Sequence, residues 1–331
     1  MFKGKKILIT GGTGSLGQAL TKYLLKTDVD TVRIFSRNEH QQIMMEENLK
    51  DDRLRFFIGD VRDLPRLTRA FEDIDIVFHA AALKHVPVVE YNPFEGIKTN
   101  VIGSQNVIEA CLDVNVDIAV GISTDKSVAP LNTYGATKLL MEKMFVTANN
   151  YINPEKHRTK FIALRYGNVL GSSGSVVPKF IRQIRNKEKI TITDPNMTRF
   201  SITMNEALDF IIKSTFEGKG SEIFVPKLKA YTITDLKDTI KELLGGTGEE
   251  KVPIRPGEKL HETLIDSDEM RNTYETDSKY VIVNPLLDYQ TIKSRYSKWK
   301  KVNETKSFSS DSAEKIPKEE LKKNILAVGL I

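Results

Sequence analysis

The sequence predicts an α/β protein: a doubly wound parallel sheet followed by a smaller C-terminal substrate-binding domain. Three features point there. Short, near-continuous apolar runs recur through the first half, helical patterns separate them, and a glycine-rich turn follows the first run at once. Strands buried on both faces read as unbroken Ile/Val/Leu/Phe runs, which is the parallel-sheet case. Repeated strand–helix alternation implies right-handed crossovers with helices on both faces. With 331 residues, 40% apolar and 28% charged, the chain can bury a sizeable core and is not disordered by composition.

In order, the strand-like runs are Lys6 to Thr10, Thr31 to Ser36, Leu54 to Ile58, Ile74 to His79, Asp117 to Ile122 and Lys160 to Leu164. Helical spacing is expected over Gly17 to Lys26 and Gly96 to Val114. After about Gly171 the alternation breaks down. Small residues cluster at Gly171-Ser172-Ser173-Gly174-Ser175, then helices are expected near Pro178 to Asn186 and Asn205 to Phe216, with a strand near Glu222 to Pro226. A helix from Thr234 to Leu244 should stop at Gly245-Gly246. Lys300 to Pro317, rich in Lys, Ser and Glu, is expected as a surface excursion, and a final helix from Lys318 to Leu326 carries apolar residues that could dock it. The expected division is 1–170 for a nucleotide-binding domain with catalytic residues, 171–290 for a substrate domain partly returning to the sheet, and 291–331 for a tail.

Composition excludes several classes. Lys plus Arg (49) exceeds Asp plus Glu (44) by only 5, too little to argue for a nucleic-acid partner. One cysteine, Cys111, rules out a disulfide framework or Cys-rich metal site, and the histidines are scattered, so no metal site is expected. No apolar run approaches the ~20 residues that span a bilayer. Met1 to Lys6 leads straight into a strand-like run without a signal-peptide layout, so a soluble cytoplasmic protein is expected.

The glycine turn reads Thr10-Gly11-Gly12-Thr13-Gly14-Ser15-Leu16-Gly17. Gly11 suits the tight turn, Gly14 lets backbone approach a pyrophosphate, and Gly17 lets helix and strand pack closely. The helix N-terminus then offers unpaired N–H groups and a favourable dipole to the phosphates. Such a turn alone is a weak signal, but strand before and helix after supply its context. The second run ends Ser36-Arg37-Asn38-Glu39, where an NAD site would carry an acidic residue; a hydroxyl followed by a guanidinium suits a 2′-phosphate, which favours NADP. Asp60 and Val61, ending the third run, would lie beside the adenine.

Tyr134 and Lys138 sit at i and i+4, on one helix face. A nearby ammonium and a nicotinamide charge would lower the tyrosine pKa and make Tyr134 a base toward a sugar hydroxyl. By spacing alone the pair also reads as an ordinary surface couple. Ser123-Thr124-Asp125-Lys126 closes the fifth run, at the strand ends where ligands of open α/β sheets bind. Asp125 beside Lys126 can act as an acid/base pair, or as a capping Asp with a solvated Lys. His79 and His85 are expected to pack or orient backbone, and Asn100 to hold structure near the site.

These residues, with His79-Ala80-Ala81-Ala82, resemble the extended short-chain dehydrogenase/reductases. Ala81 to Pro87, Arg165-Tyr166-Gly167-Asn168-Val169, Asp194 to Phe200 and Arg255-Pro256-Gly257-Glu258-Lys259-Leu260-His261-Glu262 narrow it: together they are similar to the inverting UDP-N-acetylglucosamine 4,6-dehydratases that begin the pseudaminic acid pathway. The resemblance implies an NADP site lined by Gly11, Thr13, Gly14, Ser15, Leu16, Gly17, Ser36, Arg37, Asp60, Val61, Ala80, Ala81, Ala82, Lys84, Tyr134, Lys138 and Val169. It implies catalytic roles for Thr124, Asp125, Lys126, Tyr134 and Lys138, substrate contacts from Lys84, Asn168, Arg199, Arg255 and Glu258, and a homo-oligomer, with a hexamer among its forms. Retaining relatives carry Asp-Glu where this chain has Asp125-Lys126, so the lysine marks the inverting branch. The rival readings are a UDP-sugar 4-epimerase, a retaining dehydratase, and a non-catalytic NADP-sensing regulator that kept the fold.

Overall fold

The computed structural model describes residues 1–153, 155–172, 174–303 and 305–331; Ser173 of the small-residue cluster lies outside them. Six strands open the chain: β1 (Lys6–Thr10), β2 (Thr31–Ser36), β3 (Leu54–Ile58), β4 (Ile76–His79), β5 (Ile118–Ile122) and β6 (Lys160–Leu164). Between them run α1 (Ser15–Leu24), α2 (Glu39–Leu49), α3 (Leu64–Phe71), α4 (Val86–Tyr91), α5 (Pro93–Ile97), α6 (Gly103–Asp113) and α7 (Thr133–Tyr151). All six strands are parallel, in the spatial order β3-β2-β1-β4-β5-β6. The order reverses between β1 and β4, and the crevice beyond their carboxyl ends is where such sheets hold ligands. The expected α/β doubly wound class is therefore the fold observed.

The apolar runs bury as their composition requires. Ile7, Leu8 and Ile9 of β1, Phe78 of β4 and Phe161 and Ile162 of β6 are fully buried, packed on both faces of the sheet. The long helix expected from Gly96 to Val114 is interrupted instead: α5 passes through a π-helical turn, Lys98–Ile102, before α6 begins. A single wide turn does not disturb an apolar stripe enough to be seen in sequence, but such turns recur at functional sites. Here it seats Asn100, whose side-chain amide donates to the Leu83 carbonyl (2.9 Å) and Thr137 hydroxyl (3.0 Å) and accepts from the Leu83 N–H (2.8 Å).

The second half contributes β7 (Ile190–Ile192), β8 (Thr198–Phe200), β9 (Glu222–Pro226), β10 (Ala230–Thr232), β11 (Glu249–Lys251), β12 (Thr263–Ile265), β13 (Thr273–Glu275), β14 (Lys279–Val283), β15 (Lys300–Lys301) and β16 (Phe308–Ser309). Its helices are α8 (Val176–Arg185), α9 (Met204–Glu217), α10 (Ile233–Leu244), α11 (Ser267–Met270), α12 (Tyr289–Tyr296) and α13 (Lys318–Ala327). β9 joins β6 in parallel, and β14, β13 and β15 extend the sheet antiparallel to ten strands. The pairs β8/β10, β7/β11 and β12/β16 stand apart from it. α8, α10 and α13 enclose a separate apolar cluster around Phe180, Leu236, Leu321 and Ile325, so the final helix docks through the residues expected of it.

The stretch from Lys300 to Pro317 is more than a surface excursion. Lys300 and Lys301 are exposed yet pair with β13, Phe308 and Ser309 pair with β12, and Ser310 is fully buried. Lys and Ser report on side chains in water, whereas the segment is held through its backbone and hydroxyls. Among the described residues no helix is long and apolar enough to cross a membrane.

Candidate functional site

The first half of the site is backbone. α1 begins directly after the glycine turn, and there is no room there for side chains: a Cβ on Gly17 would lie 2.5 Å from the Gly12 backbone. The turn opens into a cavity of about 480 Å³. Gly11, Thr13, Gly14, Ser15, Leu16 and Gly17 line it at one end, and Ser36, Arg37, Asp60 and Val61 line the side by β2 and β3. Ala80, Ala81, Ala82, Lys84 and Val169 line the rest, with Thr124, Tyr134 and Lys138 at the far end. An elongated cleft with a helix N-terminus aimed into it, bare of side chains at the turn, fits a dinucleotide. Ser36 is buried and its hydroxyl accepts from Gln42 (2.9 Å), whereas Arg37 is half exposed, 3.8 Å from Asp60, which pairs more closely with Arg62 (2.7 Å).

The second half is charged side chains. β5 ends at Ile122, and Ser123 and Thr124 lead into a 3-10 turn, Asp125–Ser127. The Thr124 hydroxyl donates to Asp125 Oδ1 (2.7 Å), and Lys126 Nζ donates to the same oxygen (3.1 Å) and to Asn168 Oδ1 (3.4 Å). α7 packs on this turn so tightly that a Cβ on Gly135 would meet the Lys126 carbonyl at 2.1 Å. Asn132 caps α7 by accepting from the Gly135 N–H (2.8 Å) and also donates to the Gly257 carbonyl (2.9 Å), so one side chain ties the helix start to the loop at Gly257. The capped helix start sets Tyr134 and Lys138 on the face toward Thr124.

The electrostatics differ from the sequence expectation at Tyr134. Burial pushes its phenol up to about 12, with Lys126 and the Thr124 hydroxyl pulling the other way. The cation opposing burial is thus Lys126, not Lys138, and in the protein alone burial wins. Lys138 is pushed down to about 8 by burial, opposed by Glu142 one turn on. Lys126 is held well above the ordinary lysine value: burial would lower it, but Asp125, Glu262 and Tyr134 outweigh that.

A second cavity of about 330 Å³ adjoins the first through Lys84, His85, Asn168 and Val169, and Lys126, Arg199, Arg255 and Glu258 also line it. The five residues expected at substrate therefore share one pocket, in different states. Arg255 is exposed. Arg199 is buried and engaged: it donates to the carbonyls of Thr198 (2.7 Å), Lys259 (3.1 Å) and Leu260 (3.1 Å) and pairs with Glu258 (3.5 Å) and Glu262 (3.6 Å). Two further pocket residues, Lys179 on α8 and Glu262, have no expected role from sequence. A lone Lys on an amphipathic helix and a Glu in a charged loop carry no signal there; only the fold brings them in. Burial and nearby Arg255 lower the Lys179 pKa.

Of the histidines, His79 is fully buried between the Thr10 (2.8 Å) and Ser104 (2.9 Å) hydroxyls and held neutral, pushed down to about 3 by burial and Lys138. His85, expected to pack or orient backbone, does not pack: it is exposed as the residue before α4 and lines both cavities.

Comparison with known proteins places this geometry in context. Residues 7–284 match the family described as polysaccharide biosynthesis protein. The chain is 45% identical over 320 residues, 94% of each sequence, to a UDP-N-acetylglucosamine 4,6-dehydratase (inverting) of Campylobacter jejuni. It is 37% identical over 336 residues, covering 100% of this chain and 98% of the other, to a UDP-glucose 4-epimerase of Rickettsia akari. The X-ray structure of Pen from Bacillus thuringiensis superposes with a TM-score of 0.90 at 37% identity, covering 100% of this chain and 99% of that one.

Proposed function

As the chain belongs to the polysaccharide biosynthesis protein family, we propose that it is an inverting UDP-N-acetylglucosamine 4,6-dehydratase, a hydro-lyase forming UDP-2-acetamido-2,6-dideoxy-β-L-arabino-hex-4-ulose for pseudaminic acid type biosynthesis. The observation that carries this reading is Lys126, 3.1 Å from Asp125 and in the pocket that adjoins Tyr134 and Lys138. A 4-epimerase needs a base at C-4 but nothing at C-5, so an acid/base pair beside the tyrosine has no task in it. A non-catalytic sensor would have no use for the pair or for the phenol–ammonium couple.

The glycine turn, the alanines after β4 and Lys138 would hold the dinucleotide, with Ser36 and Arg37 favouring NADP through a hydroxyl and guanidinium at the 2′-phosphate. Bound there, NADP supplies reversible oxidation at C-4 and reduction at C-6, with no outside reductant. Tyr134, assisted by Thr124 and Lys138, takes the C-4 hydroxyl proton. A ketone at C-4 acidifies the C-5 proton, which Lys126 removes, and Asp125 gives a proton to the departing C-6 hydroxyl. Protonation of C-5 on the opposite face completes the inversion. Lys84 and Asn168 line the sugar end, with Arg255, Arg199 and Glu258 toward the UDP. We also propose a cytoplasmic homo-oligomer; Tyr91, Phe94 and Ile97, 88%, 63% and 37% exposed on α4 and α5, would suit a subunit interface.

Proton NMR of the purified protein with UDP-N-acetylglucosamine in deuterated water, without added cofactor, tests the reading. A new C-6 methyl signal lacking C-5 coupling is expected, and couplings from an early sample in ordinary water should assign L-arabino. Epimerisation at C-4 without loss of water would replace the reading with the 4-epimerase, and no turnover even with NADP added would overturn it. Lys126→Ala should lower kcat by about 10²–10⁴-fold, the contribution of one positioned acid or base.

A further inference from the structure

We propose that Glu262 is a positioning residue for Lys126, the carboxyl that takes up its proton so that the amine can act as a base. The inference rests on the proposed dehydratase reading. It starts from a conflict: Lys126 must be neutral to remove a C-5 proton, yet its surroundings hold it protonated.

The groups facing Glu262 are charged on every side. From the 3-10 turn come Asp125 and Lys126, with Lys126 Nζ 3.8 Å from Glu262 Oε1. From β8 comes Arg199, its Nε 3.6 Å from the same oxygen. Lys259 and Glu258 lie on the same loop, His261 precedes it, and the phenol of Tyr231 on β10 completes the surroundings. The carboxyl itself is buried, with 5% of its side chain exposed, and Oε2 has no hydrogen-bond partner among the described residues. Its backbone is fixed: the Glu262 N–H donates to Ser310 Oγ (2.9 Å), and the Ser310 N–H donates to the Glu262 carbonyl (2.8 Å). A buried carboxyl oxygen left unpaired on a rigid loop calls for an explanation beyond packing.

Charge balance supplies it. With Asp125, Glu258 and Glu262 ionised and Lys126, Arg199 and Lys259 protonated, the cluster is neutral. Losing the Lys126 proton to water would leave a buried net charge, which is costly. Passing it to Glu262, once the 3.8 Å gap closes to hydrogen-bond distance on substrate binding, keeps the sum at zero: the ammonium N–H bond breaks, a carboxyl O–H bond forms, and a neutral amine faces the sugar. Asp125 is nearer, but its Oδ1 is already occupied, accepting from both Thr124 and Lys126. Glu262 accepts none at Oε2, and burial already raises its pKa. The C-5 proton then lands on Lys126 and can pass 3.1 Å to Asp125, which delivers it to the leaving hydroxyl. The two carboxyls thereby hold different protons, one stored and one in transit.

The test is the pH profile of kcat, with UDP-N-acetylglucosamine as substrate, for wild type, Glu262→Gln and Glu262→Asp. Wild type should be flat through neutral pH. With glutamine the proton must go to water; one carboxylate that holds Lys126 protonated is gone but Asp125 remains, so kcat should fall near neutrality and climb about tenfold per pH unit as pH rises, with KM unchanged. Aspartate keeps a carboxyl and should restore the flat profile at an intermediate rate. A Glu262→Gln enzyme with wild-type kcat at neutral pH overturns the proposal, and so does a loss equal at every pH, the mark of a purely structural role. If Glu262→Gln does not fold, a Glu262→Asp enzyme whose kcat becomes pH-dependent overturns it equally. A wild type that forms no 6-deoxy product overturns the functional reading and this proposal together; an active wild type beside an indifferent variant overturns this proposal alone.

Discussion

Along the glycine turn the cleft is lined by one local stretch, Gly11 and Thr13 to Gly17, whereas around Lys126 it is lined by charged and polar side chains from segments far apart in the chain: the turn after β5, Asn168, Arg199, and the loop holding Glu258 and Glu262. The dinucleotide side needs close approach and unpaired N–H groups, which three glycines and a helix start provide locally. The sugar side needs proton donors and acceptors at fixed separations in a buried place, which requires ionic groups held by distant partners. Substitutions on the two sides should therefore fail differently, one in nucleotide affinity and the other in rate and its pH dependence.

The largest effect is expected on the charged side, where its distant segments are tied together. Arg165, fully buried, donates to Glu142 of α7 (2.6 and 2.9 Å) and Glu269 of α11 (2.7 and 2.8 Å). Glu142 also accepts from Ser127, at the end of the 3-10 turn after β5 (2.9 Å). Arg165→Met leaves two carboxylates without their cation and should cost about 3–5 kcal/mol in urea titration, the range for breaking one side of a buried pair. Replacing Glu142 and Glu269 by Gln as well should recover much of that. If the single variant loses under 1 kcal/mol, roughly the value of an exposed pair, these segments are not coupled through Arg165.

That joint also marks where the sequence stops being legible. β1 to β6 stand almost where their apolar runs lie, because a strand buried on both faces advertises itself in a few consecutive residues. Thr124, Asp125, Lys126, Tyr134 and Lys138 could be singled out because they fall at a strand end or on one helix face. Arg165 was visible only as part of a resemblance block, and its partners, 23 and 104 residues away, were not visible at all. Glu262 and Lys179 lack any local pattern, and the π turn at Lys98–Ile102 hides inside an ordinary apolar stripe. For Tyr134, spacing reveals the neighbouring ammonium but not the burial that opposes it and raises the phenol in the protein without a dinucleotide.

A smaller effect is expected from Gly17→Ala. The added Cβ meets the Gly12 backbone at 2.5 Å, and backbone cannot step aside as a flexible side chain does. Overpacking of this kind costs about 1–3 kcal/mol, and the turn should open enough to weaken dinucleotide binding by about tenfold or more in calorimetry. Affinity for UDP should not change, since no residue of the turn lines the second cavity. An equal loss of both affinities would show that the two sides of the cleft are one cooperative unit.

The smallest effect, and the sharpest check on the comparison, concerns Ser310. Its hydroxyl lies 2.7 Å from Thr198 Oγ1 and accepts from the Glu262 N–H (2.9 Å), so the tail fixes the loop that carries Glu262 and the strand that carries Arg199. Ser310→Ala leaves the buried Glu262 N–H unpaired, at a cost of about 1–3 kcal/mol. Because the change lies wholly on the sugar side, kcat should drop while dinucleotide affinity stays at the wild-type value. The wild-type pH profile should survive, since the Glu262 carboxyl remains and only its placement loosens. If dinucleotide affinity falls in step with kcat, the tail props the whole cleft. If neither moves, the loop is held by the Arg199 guanidinium and its carbonyl contacts alone, and β16 is needed for folding but not for placing Glu262.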